Sequence, residues 1–214
     1  MKKTLILLTL LCSSLFTMAQ YENAKQVFES PKLKDVVKNH KLVAILPFQV
    51  TLSYKKQPKN FDADANKQKE KTMAGSIQSS MYTFLLRKSS NYTVEFQDVE
   101  KTNILLKKKG LTDSLDVLTK DEIAKALGVD AVISGKYENE QSRSEAGAIV
   151  TTVLFGGLGS KTGSGALTMA INDGGSGDLI WRFFKSMSDG VFSSSDELID
   201  RMMRKVSRNF PYTK

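Results

Sequence analysis

Two apolar runs of strand length constrain this chain most. Leu42 to Val50 (LVAILPFQV) is apolar at nearly every position, and Val129 to Tyr137 (VDAVISGKY) is mostly so. A strand that is wet on one face alternates apolar and polar residues, whereas a continuous apolar run belongs to a strand covered on both faces. Such strands need helices packed against them, and helical patterns do separate these two. Pro47 carries no amide hydrogen, so pairing of the first run is expected to become irregular toward its end.

The helix signals are physical ones. Ser30-Pro31 reads as an N-cap followed by proline at the first helical position, with Leu33, Val36 and Val37 on one face. Thr51 to Lys71 is polar and lysine-rich and reads as a long loop. Met73, Ile77, Met81, Phe84 and Leu85 then follow helical spacing, which predicts an amphipathic helix over roughly Thr72 to Lys88. Tyr92 to Phe96 reads as a short strand. Asp98 can cap a helix carrying Val99, Ile104, Leu105 and Leu106, closed by Gly110. Thr119 and Glu122 form a capping box ahead of Ile123, Ala126 and Leu127, and Gly128 supplies a left-handed stop.

Ala166–Asn172 and Asp178–Lys185 are strand-like runs around Asp173-Gly174-Gly175-Ser176-Gly177, a hairpin turn. Trp181 and Phe183 share one strand face and are expected to pack beneath a helix. Ser194 and Glu197 make a second capping box. It opens a helix that turns Leu198, Ile199, Met202, Met203, Val206 and Phe210 inward and stops at Pro211. Strand–helix alternation followed by a hairpin and a closing helix predicts a single α/β domain: a mixed β-sheet, flanking helices, a C-terminal β-hairpin and a closing helix.

The N-terminus reads as an address. Met1-Lys2-Lys3 is positive, Thr4 to Leu11 is apolar, and Thr17-Met18-Ala19 offers small residues at a cleavage site before Gln20. That is the pattern of a secretory signal peptide, and its apolar stretch is far shorter than the ~20 residues of a spanning helix. Leu11 is bulky where lipidation of Cys12 would need a small residue. Removal of Lys2 and Lys3 takes the net charge from +8 to +6, a basicity suited to an anionic envelope surface.

The polar inventory excludes several chemistries. Cys12 is the only cysteine and falls in the address, which leaves the exported chain without a disulfide, a thiolate nucleophile or a cysteine zinc site. His40 is the only histidine, so a two-histidine metal site is impossible; at a helix C-terminus it is expected to complement the dipole. Aligned on Lys161-Thr162, the glycines of a phosphate loop are Phe155 and Ser160, and a dinucleotide fingerprint fails at Thr162. Asp62-Ala63-Asp64 opens like a calcium loop, but Lys67 and Met73 stand where glycine and glutamate belong. Ser134 and Lys136 share a strand face, the minimum for a Ser-Lys dyad. No cofactor is expected, and Trp181, Phe183 and Phe184 are expected to serve packing and not nucleic acid.

One segment reads in two ways: as a buried strand or flexible glycine-rich loop, or as a surface that docks on lipid or on another subunit. Ala146 to Gly159 (AGAIVTTVLFGGLG) is apolar and glycine-bearing between polar flanks, and roughly Gln141 to Gly165 is expected to project from the sheet. Ala148, Ile149, Val150, Val153, Leu154, Phe155 and Leu158 are the candidate contacts with a membrane surface or a protein partner, another copy of the chain included.

Val43-Ala44-Ile45-Leu46-Pro47-Phe48, Gly128 to Gly135, and the hairpin from Leu167 through Asp173, Gly177 and Leu179 to Trp181 together resemble a group of bacterial envelope proteins. The group includes the curli secretion channel subunit, the outer-membrane activator lipoproteins of peptidoglycan synthases, and the N-terminal domain of the Tol-system β-propeller protein. The resemblance implies an α/β domain that acts through protein contacts without catalysis. In the curli channel a membrane-crossing hairpin occupies the place of Tyr137 to Ala166. This chain departs in lacking an evident lipid-anchor cysteine and room for a second crossing hairpin, which leaves an envelope-associated scaffold. The expected division is a signal peptide (1–19), an N-terminal helical segment (20–40) and an α/β envelope domain (41–214). The alternative from another class is an exported hydrolase. Its site would lie at the strand ends near Phe48 to Tyr54 and Lys136, with Ser134 as nucleophile.

Overall fold

The computed structural model describes residues 26–141, 163–187, 195–206 and 209–214. Seven strands form one mixed sheet: β1 (Gln26–Glu29), β2 (Leu42–Ile45), β3 (Gln49–Tyr54), β4 (Glu95–Phe96), β5 (Ala131–Gln141), β6 (Gly163–Asp173) and β7 (Leu179–Met187). Their order is β1-β7-β6-β5-β2-β4, and β3 pairs with β5 beyond β2. β2 runs parallel to β4 and β5, and β3 runs parallel to β5. The β5–β6, β6–β7 and β1–β7 pairs are antiparallel. The helices are α1 (Leu33–Val37), α2 (Ala63–Leu86), α3 (Val99–Lys108), α4 (Lys120–Leu127) and α5 (Ser195–Val206).

β2 is the strand covered on both faces. Val43 and Ile45 belong to the core under α2 and α5, with Ile77, Met81, Leu85, Met202 and Met203. Ala44 and Leu46 belong to a second core under α3 and α4, with Leu106, Ile123, Ala124 and Leu127. Every one of these side chains is at most 4% exposed. In α4 the inward residue is Ala124, where Ala126 was expected, and Ile104 of α3 stays 45% exposed.

The run from Leu42 to Val50 breaks at Pro47. Ile45 pairs with Ile133 and Gln49 with Lys136, so Leu46, Pro47 and Phe48 stand opposite Ser134 and Gly135. One extra residue reverses which side chains face the core. Val43 and Ile45 point inward before the break, and Phe48 and Val50 after it. Thr51–Tyr54, expected as loop, therefore continues a strand, and Leu52 is buried. The N–H of Leu52 donates to Glu70 and its carbonyl accepts from Asn66, so α2 closes the outer edge of β3.

α2 also begins earlier than its apolar spacing indicates. Asp62 caps it by accepting from the N–H groups of Asp64 and Ala65, and its first turns are polar because they project past the core. Ahead of α1, Gln26–Glu29 forms an edge strand on β7, in a stretch where only helix signals were read. The hydroxyl of Ser30 accepts from Lys32 N–H, but α1 starts at Leu33 with Lys32 at the N-cap position and no side-chain cap, two residues later than Ser30-Pro31 indicates. Asp98 caps α3, the Thr119–Glu122 box is formed, and Gly128 adopts φ 67°. The Ser194–Glu197 box lies outside the described residues, as do the signal peptide, its cleavage site and residues 142–162.

Candidate functional site

The break at Pro47 opens a cleft of about 360 Å³ on the face of the sheet that α3 and α4 only partly cover. Its floor is Ser134 and Lys136 of β5 with Thr168 and Ala170 of β6, and its near wall is the backbone of Leu46 to Gln49. The far wall is the α3–α4 connection, which brings Asp113, Leu115 and Asp116, and Lys120 of the first turn of α4 closes the end. The volume lies in the range of small-molecule sites, and apolar walls alternate with a few polar groups. Burial lowers the Lys120 ammonium from its ordinary value, and the charge of Asp116 opposes that shift. Its Nζ donates to the carbonyl of Leu115 at 3.1 Å.

The structure thus brings Ser134 and Lys136 into one cleft, as their shared face required, beside the C-terminal end of β2 but midway along β5 and β6 and not at the ends of those strands. It does not assemble a dyad. Lys136 Nζ lies 2.8 Å from Glu138 Oε1, further along β5 and on the side away from Ser134. Asp62 and Asp64 belong to the start of α2, and among the described residues no cluster of His, Cys, Asp or Glu could hold a metal ion.

A second constellation is buried. His40 is 5% exposed, with Nδ1 2.8 Å from the Tyr212 hydroxyl and Nε2 2.9 Å from Asp173 Oδ1. A carboxylate only accepts, so Nε2 carries a proton and, in the neutral ring, the Tyr212 hydroxyl donates to Nδ1. Asp173 Oδ2 also accepts from the N–H groups of Gly175 and Ser176 and from the Ser176 hydroxyl. Burial works against the Asp173 carboxylate, but the bonds from His40 and Ser176 outweigh it and hold its pKa below the ordinary value. Burial raises the Tyr212 hydroxyl, helped by the charges of Asp173 and Asp130.

His40 therefore does not serve the dipole of α1. The chain has already turned inward after Asn39, and the imidazole ties the C-terminal tail to the β6–β7 turn. No local signal marks this group, because its members are 133 and 172 positions apart.

The same sheet face continues uncovered beyond the cleft. Arg182 of β7 and Phe28 of β1 are exposed, and Ala166, Thr168, Ala170 and Phe184 are half-buried, whereas the opposite face of these strands is closed by Leu167, Met169, Trp181 and Phe183. Trp181 and Phe183 stack at 6.2 Å in the core, as expected of them. The candidate contacts Ala148 to Leu158 lie outside the described residues; β5 and β6 remain paired as far as Gln141 and Gly163, on either side of them.

No family model matches this chain, and no curated protein matches it. Among solved structures it is similar to the PelC dodecamer from Paraburkholderia phytofirmans, at 14% identity and TM-score 0.42, covering 89% of this chain and 99% of that one. It is similar to lipoprotein GNA1162 from Neisseria meningitidis at 12% identity and TM-score 0.42, covering 78% and 96%. The C-terminal domain of LpoB from Salmonella enterica is similar at 12% identity and TM-score 0.35, covering 74% and 94%.

Proposed function

We propose that this chain is an exported, non-enzymatic accessory protein of a bacterial cell envelope that works by holding a protein partner, or further copies of itself, close to a membrane surface. The observation that carries the reading is the sheet face left open by the helices, with exposed Phe28 and half-buried Phe184 among small side chains. Isolated apolar residues on a surface are ordinary, but an open sheet face that carries two aromatics beside exposed Arg182 supports the reading of a contact surface. The signal-peptide pattern at 1–19 supports export, and among the described residues no helix is long and apolar enough to cross a membrane.

The register adds support for a membrane-facing end. Tyr54 pairs with Gln141, so Lys55 and Lys56 leave β3 at the sheet end from which residues 142–162 depart. Basic residues at that sheet end suit an anionic lipid surface, and the apolar sequence Ala148, Ile149, Val150, Val153, Leu154, Phe155 and Leu158 follows β5 in the chain. A photo-crosslinking residue placed at Phe28, at Phe184 or at Leu154 in intact cells is expected to trap one defined envelope partner or a second copy. Free monomer from all three positions, with the protein in the soluble fraction, would overturn the reading.

The cleft keeps the hydrolase reading as a second one, because it lies near Phe48 and Lys136, where a site was expected. A hydrolase screen decides it: activity that Ser134→Ala leaves unchanged removes Ser134 from that role.

A further inference from the structure

We infer that the cleft at the Pro47 break binds a short zwitterionic peptide, of about two small residues, by its two charged ends. The argument is one of charge balance. The α3–α4 connection contributes two carboxylates, Asp113 and Asp116, and the floor and end contribute two ammonium groups, Lys136 and Lys120. Lys136 holds Glu138 and Lys120 lies in the field of Asp116, so neither sign is in excess among the four lining charges, and a ligand carrying one sign only would leave a group of its own sign beside it unmatched. A ligand with a positive and a negative end meets each sign with its opposite.

The geometry supplies the rest. Lys136 is about half-exposed and spends one contact on Glu138, which leaves ammonium hydrogens for a ligand carboxylate. The hydroxyls of Ser134 and Thr168 lie on the same floor and can donate to that carboxylate as well. Leu115, Pro47 and Ala170 offer apolar surface between the charged ends, and the cleft volume of about 360 Å³ suits a ligand of this size. This inference does not depend on the envelope reading: the ligand is held by the charged groups of the cleft and meets the open face only at Thr168 and Ala170 of the cleft floor.

The experiment is calorimetric titration of the unmodified protein with Ala-Ala, N-acetyl-Ala-Ala and Ala-Ala amide. Hydrogen bonds to charged groups predict that capping either end weakens binding about tenfold or more. Asp113→Asn with Asp116→Asn should erase the penalty of acetylation, and Lys136→Gln that of amidation, while amide resonances of Ser134 and Thr168 shift on binding. Equal binding of the free and capped peptides overturns the inference, as does a penalty at one end only. So does the absence of heat and of shifts at Ser134 and Thr168 up to about 10 mM Ala-Ala.

Discussion

The ring of Phe48 occupies the space that a side chain at Gly135 would take. A Cβ built on Gly135 would lie 2.5 Å from Phe48 Cζ and closer still to Cδ1 and Cε1. The break at Pro47 turns Phe48 into the core, and only a residue without Cβ leaves room for it on β5. Gly135→Ala is therefore expected to destabilise the fold by about 1–3 kcal/mol through overpacking, read as a lower urea midpoint at unchanged slope. Phe48→Ala should cost about 3–5 kcal/mol alone. The double variant should cost less than the sum, because the two share one space; additive costs would show that ring and glycine act independently.

The imidazole of His40 links Asp173 to Tyr212. His40→Phe leaves a buried hydroxyl, and a carboxylate oxygen that is only partly buried, without that partner, and is expected to cost about 1–3 kcal/mol for the hydroxyl and less for the carboxylate. Tyr212→Phe removes one of those bonds and should cost about 1 kcal/mol. Equilibrium unfolding in urea checks both, and a larger loss for Tyr212→Phe than for His40→Phe would contradict the linkage.

Much of the scaffold was legible because its signals are local. Asp98, Thr119 with Glu122, and Gly128 mark helix ends by chemistry confined to a few residues, and β2 announced two-sided burial by its composition. The second half of β3 was missed because a bulge reversed its parity midway through an apolar run, leaving Thr51 and Ser53 to read as loop. The first turns of α2 were missed because a helix that extends beyond the core carries no apolar stripe. The cleft was legible only as a location, near Phe48 and Lys136. Its carboxylate wall comes from Asp113 and Asp116, which reach it through tertiary packing of the α3–α4 connection.

Asp130 and Asp173 give the fold an acid limb. The N–H of Leu42 holds Asp130 below its ordinary pKa against burial, helped by the Lys41 N–H and the charges of His40 and Lys41. Asp173 is lowered by His40 and Ser176 despite burial. Groups whose folded pKa is depressed contribute stability that is complete above the unfolded value, near about 3.9, and is lost as pH falls through the folded values. The urea midpoint is therefore expected to hold from about pH 7 to pH 5 and to fall below about pH 4. Asp130→Asn should be less stable than the parent at neutral pH and converge with it in acid. A constant gap across the titration would remove Asp130 from the acid limb.

The C-terminal tail is a structural element of the core. Tyr212 is fully buried and Phe210 is 3% exposed; Phe210 meets Trp181, Tyr92 and Tyr212 edge to ring. The carbonyl of Tyr212 accepts from Thr93 N–H and the N–H of Lys214 donates to Asn91, each at 2.9 Å. Removing Tyr212, Thr213 and Lys214 is expected to cost at least the ~3–5 kcal/mol of a buried aromatic truncation. Loss of near-ultraviolet circular dichroism at a lower temperature than the parent is the readout. An unchanged melting temperature would mean that the tail only rests on the domain.

Excision of residues 142–162 tests whether the proposed contact segment is separable from the core. β5 and β6 are antiparallel neighbours in register from Ala131↔Asp173 to Gln141↔Gly163, so a two-residue Asn-Gly turn can join them where they end. Closing a shorter loop changes the entropy by only ~0.6 kcal/mol for each halving of length, a small term beside the burial of Tyr137, Leu167, Met169 and Trp181 under α2 and α5. The excised protein is therefore expected to unfold in urea at a midpoint close to that of the parent and to retain the Ala-Ala binding of the cleft. On the envelope reading it should lose cosedimentation with vesicles of anionic lipid, or the crosslink at Leu154, which the excision removes, together with any crosslink at Phe28 that depends on membrane proximity. Unfolding of the excised chain would place Ala148 to Leu158 in the core. Undiminished cosedimentation would move the membrane contact to the open sheet face.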